Sequence, residues 1–358
     1  EHLARHRVTD QFLTTALARQ LSEGPLEQLR GLRTFLTGGE ATAPEMIRRL
    51  REELPATRVT HAYGPTECTT FSHLEPFTPF VDLPGSEAER QTALAAVPEP
   101  LSLGRPIAGT AGWVLDARFE PVPIGIPGQL LLAGTGLARG YLGRPAATAE
   151  RFVPNPFATA PGERLYATGD RVRFRADGGL EFLGRVDRQV KIRGFRIEPG
   201  EIEATLAAHP GVAVAAVRVV EDELAGKRLA AWVSPVPDEA VPAAGAAGAS
   251  PPSADELRAF LAEQLPPHQV PTFLRVLPAL PMTRTGKVDY GALPAPELER
   301  SEAERTLPRN ATEQAVAALW AELLGKELLG AEPLGIDDDF FDLGGHSLLA
   351  TRLVSRLR

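Results

Sequence analysis

Cysteine is nearly absent from this chain of 358 residues: Cys68 stands alone. A single thiol builds neither a disulfide framework nor a cysteine zinc site, so both are excluded. Long apolar runs are missing, and no secretory-type leader opens the chain at Glu1. A cytoplasmic location is expected, with no membrane partner. Lysine is scarce: of 38 basic residues, only Lys191, Lys227, Lys287 and Lys326 are not arginine. Where arginine is the default, a lysine inside a motif marks a position that asks for a compact cation on a flexible stem. Bases are also short near the C-terminus, where residues 302–342 hold ten acids and three bases. That excess argues against nucleic acid as a partner of that end.

What the chain does contain is an ordinary globular composition, 43% hydrophobic, over a length that suits two or three domains. Its most informative stretch is GRVDRQVKIRGFRIEPGEIE, residues 184–203. Arg185, Asp187, Arg188, Lys191 and Arg193 surround Val190 and Ile192, the alternation of a short strand with one wet face. Gly194 breaks the strand. Pro199 then opens a helix with Glu201 and Glu203 in its first turn, where the helix dipole favours acids. Taken alone, the stretch reads either as an edge strand with solvated charges or as a crossing between two domains.

The whole stretch resembles the hinge motif of the adenylate-forming enzymes, in the amino-acid-activating form of the nonribosomal peptide synthetases. Four further motifs follow the family's order. HAYGPTE at 61–67 is a strand running into a Gly-Pro turn and resembles the nucleotide loop. The resemblance implies that Tyr63 stacks on adenine, Thr66 contacts the α-phosphate and Glu67 holds magnesium. A hard cation wants carboxylate oxygen, and an aromatic face suits a purine. GQLLLAGTGLARGYLGRP at 128–145 reads as a buried strand, Leu130 to Leu132, followed by glycine turns; it is taken as scaffold. The family usually has Glu where this chain has Gln129. In YATGDRVR at 166–173 the resemblance assigns Asp170 to the ribose hydroxyls, since a carboxylate suits a cis-diol. Arg185 is implied at the ribose or phosphate. TRTGKVDY at 283–290 projects Lys287 from a Thr-Gly turn, where the family's lysine reaches the substrate carboxylate and phosphate during adenylation. DDDFFDLGGHSLLATRLVSRLR at 337–358 resembles a carrier protein's attachment site, with Ser347 receiving 4′-phosphopantetheine from a separate transferase. A serine opening a helix could equally be a plain N-cap.

The expected fold is mixed α/β. Residues 1–186 form the C-terminal part of a large adenylation subdomain with a β-rich end, and 187–293 a small α+β subdomain. Residues 294–307 are a charged linker, and 308–358 a truncated helical carrier. Residues 74–100 read as an irregular, proline-rich surface loop, and the Pro/Ala/Gly tract 234–253 as a mobile one. Asn310 and Glu313 suggest a capping box for a helix through Leu324. Leu349, Leu353, Val354 and Leu357 form the apolar stripe of the last helix.

The family's Ser/Thr/Gly-rich phosphate loop and its amine-binding aspartate are not present. The stretch is therefore expected to be a fragment, inactive alone, with residues 1–72 short of packing partners. In the intact module the implied cofactors are ATP, Mg2+ and 4′-phosphopantetheine, and the implied partners are a phosphopantetheinyl transferase and neighbouring condensation or termination domains. The reaction is activation of an amino acid as aminoacyl-AMP and transfer to the carrier thiol, with Asp187 as the hinge. Alternatives are an acyl- or aryl-acid ligase fused to a carrier, or an inactive carrier-bearing interaction module. Aligned by the family's spacing, Phe12, Leu36, Gly38, Ala62, Thr70 and Phe71 line the substrate pocket. None is charged, so a branched aliphatic substrate, valine or isoleucine, is expected.

Overall fold

The computed structural model describes the chain except residues 1, 23, 193, 223–225, 237–250, 297–305, 326–333, 341, 342, 344, 346 and 358. The core of the tract expected to be a mobile loop, most of the linker, and several residues of the attachment motif thus lie outside the described residues. The chain divides into two compact units, Glu1–Asp187 and Arg188–Arg358.

The first unit is built on one ten-stranded sheet among the described residues. Strands β1 (Asp10–Thr14), β2 (Thr34–Gly38) and β3 (Arg58–Tyr63) run parallel. Helices α1 (His2–Arg5), α2 (Thr15–Ser22) and α3 (Pro44–Glu53) belong to this part. Pro44 occupies the start of α3, and Glu45 lies in its first turn, as the helix dipole favours. Met46, Ile47 and Leu50 then bury one stripe of α3 in a core with Phe35, Val59 and Ala18. Residues 1–72 thus contribute most of a packed core that Phe77, Val97 and Leu101 complete, while Phe12, Leu17 and Leu21 remain exposed.

The remainder of the sheet is antiparallel. Strand β4 (His73–Phe77) pairs with β3, and β5 (Ser102–Pro106) with β4. β6 (Thr110–Leu115), β7 (Gly128–Gly134), β8 (Phe152–Pro154), β9 (Arg164–Phe174) and β10 (Leu180–Arg185) complete it. The order is β1-β2-β3-β4-β5-β10-β9-β7-β6, with β8 beside β9. Leu130, Leu131 and Leu132 of β7 are all buried, as their continuous apolar run implies.

Residues 74–100 are not the irregular loop expected of them. They contain most of β4 and a helix, α4 (Glu87–Ala95). Ser86 and Glu89 make a reciprocal capping box at its start, and buried Arg51 donates to Leu94 O at 2.7 Å near its end. The Ser-x-x-Glu signal was legible at 86–89; the prolines on both sides masked it. A further helix, α5 (Pro145–Arg151), precedes β8.

In the second unit, β11 (Val190–Ile192) and β12 (Phe195–Ile197) form a hairpin turning at Gly194, whose φ is +83°. Ile192 and Ile197 enter a core, with Val190 packed against it. Helix α6 (Pro199–Ala207) follows, then β13 (Val212–Asp222), β14 (Gly226–Pro235), α7 (Ala254–Gln264) and β15 (Phe273–Val276). β13 and β14 are antiparallel, and β15 joins β14 in parallel. The period of two along β14 separates two cores. Leu229, Ala231 and Val233 join Ile202 and Leu206 of α6 and Leu257 and Leu261 of α7. Ala230 and Trp232 belong to a second cluster with Leu324, Phe340 and Leu349 of the C-terminal segment.

That segment contains α8 (Ala311–Leu324) and α9 (Ser347–Leu357). The Asn310 side chain accepts from Glu313 N at 2.9 Å, so half of the expected box is present. The return bond differs: Glu313 accepts from Arg309 N, one residue earlier. The expected stripe of α9 is also narrower than its spacing suggests. Leu349 is buried and Leu353 packs against the core, but Val354 and Leu357 are exposed.

Candidate functional site

Asp170 is the centre of a buried polar network in the first unit. It lies in β9 one residue after Gly169, whose φ of +77° lets the strand bend there. A register shift in β10 between Phe182 and Gly184 brings Arg185 opposite Asp170. Arg185 Nη1 donates to Asp170 Oδ1 at 2.5 Å, and its Nη2 reaches Thr168 O at 3.1 Å. Asp170 Oδ2 accepts from the Tyr63 hydroxyl at the end of β3. Thr168 Oγ1 accepts from Asp170 N at 2.9 Å and donates to Leu130 O at 2.7 Å, tying the site to β7. The positive φ makes any side chain at 169 strained, and a Cβ there would also press on the ends of the Arg185 and Asp187 side chains. Burial, and then the Asp170 charge, push the Tyr63 phenol well above its usual range. Tyr63 is thus held as a proton donor, and the carboxylate is fixed in place by two donors.

The turn after Tyr63 is shaped by Gly64. A Cβ there would lie 2.5–2.7 Å from Thr70 O, Phe71 Cα and Ser72 N, so only glycine lets the returning chain close over it. Thr69 and Thr70 both have positive φ, 58° and 71°, a costly conformation concentrated at this loop. Within the turn, Thr66 is exposed and Glu67 buried. Tyr141 donates to Glu67 Oε1 at 2.5 Å. Among the described residues, no three His, Cys, Asp or Glu side chains gather into a metal cluster. One buried carboxylate nevertheless suits Mg2+, which commonly takes one or two protein carboxylates and completes its shell with water and substrate phosphates. Neighbouring Cys68 is pushed up to about 12, by burial first and the Glu67 charge second, and stays a thiol.

His73, at the start of β4, is fully buried. Its Nδ1 is 3.0 Å from Ser72 Oγ, and its Nε2 has no hydrogen-bond partner among the described residues. Burial lowers its pKa to about 4. The folded state therefore resists protonation that the unfolded chain accepts near pH 6.5. Stability is unaffected above pH 6.5 and falls as the pH drops from there to about 4, by about 3 kcal/mol at most. Urea midpoints measured between pH 7 and pH 4.5 will show this loss. His73→Phe will reduce the slope; an unchanged slope would mean that the histidine is not its source.

Four of the expected pocket residues share one sheet face. Leu36 and Gly38 are two apart on β2; Phe12 pairs with Leu36, and Ala62 with Gly38. Phe71 meets Phe12 edge to face, with ring centroids 5.1 Å apart. Thr70 is exposed on the strained turn beside Phe71.

Asp187 closes the first unit. Arg185 donates to its Oδ1 at 2.6 Å and Oδ2 at 2.8 Å, and Arg151 to Oδ2 at 3.3 Å. Arg188 opens the second. Its guanidinium contacts Glu203 through two nitrogens, donates to Val217 O at 2.5 Å, and lies 4.0 Å from the Tyr290 ring centroid. The side chains flanking the Asp187–Arg188 bond are each anchored within their own unit.

Lys287 is exposed on a tight turn in the second unit. Thr283 N donates to Lys287 O at 2.7 Å, Lys287 N donates to Thr283 Oγ1 at 3.2 Å, and Gly286 has a φ of +76°. Ser347 is the first residue of α9, following buried Gly345. A Cβ at Gly345 would sit 2.3 Å from Phe340, so this glycine allows the close approach.

Sequence reasoning missed Tyr141, Thr168 and Arg151. Thr168 lies inside the YATGD motif and could have been suspected as the hydroxyl two residues before Asp170. Tyr141 is the only aromatic residue of its glycine-rich motif, but nothing local links it to Glu67. Arg151 carried no signal.

Residues 1–142 match the family described as AMP-binding enzyme, residues 201–287 its C-terminal domain, and residues 314–358 the phosphopantetheine attachment site. Tyrocidine synthase 3 of Brevibacillus parabrevis is 39% identical over 100% of this chain and 5% of its own length. A dimodular nonribosomal peptide synthase of Bacillus subtilis is 45% identical over 96% of this chain and 13% of its own length. The chain thus spans a small part of these relatives. The solved structure of holo-PA1221, described as an NRPS protein containing adenylation and PCP domains bound to a vinylsulfonamide inhibitor, matches with a TM-score of 0.70. It is 30% identical, over 99% of this chain and 53% of that one. The chain belongs to the AMP-binding, adenylate-forming enzymes, in the nonribosomal peptide synthetase arrangement of an adenylation domain followed by a carrier domain.

Proposed function

We propose that the intact protein joins an amino acid to ATP, giving aminoacyl-AMP and pyrophosphate, and then passes the aminoacyl group to a phosphopantetheine thiol on Ser347. The observation that carries this reading is the buried Asp170 carboxylate held by Tyr63 and Arg185, with Tyr63 on the same strand-to-turn segment as Glu67. In it, Asp170 takes the ribose hydroxyls on its remaining lone pairs, Arg185 contacts the ribose or phosphate, and the Tyr63 ring lies against adenine. Thr66 contacts the α-phosphate. Glu67 would hold Mg2+, which supplies charge neutralisation at the phosphates when bound. Lys287 neutralises charge on the substrate carboxylate and α-phosphate.

Ser347 would hold the pantetheine arm, whose thiol would supply the nucleophile for the aminoacyl group, giving up its proton and displacing AMP. Asp187 serves as the pivot between the two half-reactions; the anchors on either side of the Asp187–Arg188 bond support this by concentrating rotation there. Domain boundaries at 186, 293 and 307 belong to the same proposal, as do a cytoplasmic location, a phosphopantetheinyl transferase and flanking condensation or termination domains. Among the described residues, no helix is long and apolar enough to cross a membrane.

The shared face of Phe12, Leu36, Gly38 and Ala62, with Phe71 against Phe12, supports a branched aliphatic substrate. A charged side chain there would lose several kcal/mol of hydration. The test is amino-acid-dependent ATP–pyrophosphate exchange by the complete module. Valine or isoleucine should dominate, with some activity on both, because an apolar pocket separates them by only about 1–3 kcal/mol. Preference for a charged or large aromatic amino acid would overturn the pocket assignment. Preference for an acid without an α-amino group would overturn amino-acid activation.

A further inference from the structure

The glycine-containing segment after β7, residues 135–141, wraps the turn that carries Glu67. Three bonds hold the two together. Ala138 N donates to Glu67 O at 2.8 Å, Thr69 Oγ1 donates to Gly136 O at 2.7 Å, and the Tyr141 hydroxyl donates to Glu67 Oε1 at 2.5 Å. One is a backbone bond and one runs from a threonine hydroxyl to a backbone carbonyl, both of a kind any close-packed loop makes. The third reaches the carboxylate itself, which is buried.

Tyr141 is also positioned for this contact. Its ring meets Phe152 edge to face, with centroids 5.7 Å apart. Its backbone N donates to Thr148 Oγ1 at 2.9 Å. Thr148 comes that close because residue 140 is glycine: φ is +142°, and a Cβ there would lie 2.4 Å from Thr148 Cγ2. Gly136 has the same function toward Cys68, whose carbonyl oxygen would lie 3.0 Å from an added Cβ. The segment is thus more than sheet scaffold: its glycines allow the approach that places one phenol on one carboxylate.

We propose that Tyr141 is a positioning residue for the metal-binding carboxylate, fixing the orientation of Glu67. The proposal rests on the assignment of Mg2+ to Glu67. A phenol donor restricts rotation of the carboxylate, while a carboxylate oxygen, with two lone pairs, can accept that bond and still face a hard cation. Losing such an outer partner typically weakens metal binding about 10–100-fold.

The probe is Mn2+, with binding read by electron paramagnetic resonance on the complete module with ATP and no amino acid. Tyr141→Phe keeps the ring against Phe152 and removes only the hydroxyl. It should raise the Mn2+ concentration for half-saturation about 10–100-fold, leave the metal-free melting temperature close to wild type, and show an adenylation defect that excess Mg2+ relieves. In a Glu67→Gln background, the same change should have little further effect, because the contact it removes is already altered. Unchanged Mn2+ affinity in Tyr141→Phe, while Glu67→Gln weakens it, would overturn the role of Tyr141 and leave the metal assignment standing. Unchanged affinity in Glu67→Gln would overturn the metal assignment itself. Weaker binding accompanied by a collapse in melting temperature would make Tyr141 a structural residue and refute the proposal.

Discussion

Replacing Lys287 with alanine will slow aminoacyl-adenylate formation by about 10²–10³-fold, the scale of losing one preorganised charge-stabilising donor. Adenylation brings a carboxylate against the phosphates of ATP, and the repulsion must be neutralised as the new bond forms. A lysine suits that transient task, as a point charge on a flexible stem. The turn at Thr283–Lys287 presents this cation in solvent, and its own hydrogen bonds are made by backbone and threonine hydroxyls. Truncating the side chain should therefore leave the turn intact. Thiolation from a preformed adenylate needs no such neutralisation and should change much less. Single-turnover measurement of each half-reaction separates the two; equal losses in both would remove Lys287 from the role assigned here.

Ser347→Ala will abolish phosphopantetheine attachment, and with it thioester formation, while ATP–pyrophosphate exchange stays near wild type. The serine hydroxyl is the only atom of that residue able to form the phosphodiester. The residues proposed for adenylation lie on other segments, from Tyr63 to Lys287. The bland role of a helix-opening serine, an N-cap, predicts a different outcome: a loss of about 1 kcal/mol of stability with no effect on loading. Mass spectrometry of the peptide carrying residue 347, after incubation with a phosphopantetheinyl transferase and coenzyme A, distinguishes the two. Phosphopantetheine on the variant would place the attachment site elsewhere.

The parts of this molecule legible in its sequence are those where one local pattern determines one structure. Pro199 and Glu201 mark the start of α6, whereas Glu203, expected in the same turn, falls beyond it; Leu130–Leu132 mark a buried strand. The alternation around Val190 marks one strand of a hairpin. Illegible were features whose cause lies far along the chain. Tyr141 and Glu67 are 74 residues apart, and Tyr63 and Asp170 are 107 apart. No periodicity connects them; they meet because β3, β7 and β9 share one sheet. The exposed Val354 and Leu357 show the opposite error, a clean helical stripe of which only the first half finds a surface to cover. Helix α4 was missed for a third reason. Its capping signal was present, but the prolines flanking it spoke for a loop.

The most direct test of the central claim is the intact mass of the phosphopantetheine-loaded module after incubation with ATP, Mg2+ and an equimolar amino-acid mixture. The account predicts one added aliphatic aminoacyl group, valyl or isoleucyl, mapped to the pantetheine on Ser347 and released by hydroxylamine as expected of a thioester. A carrier that gains no mass, or gains it at a site other than the Ser347 pantetheine, would contradict it.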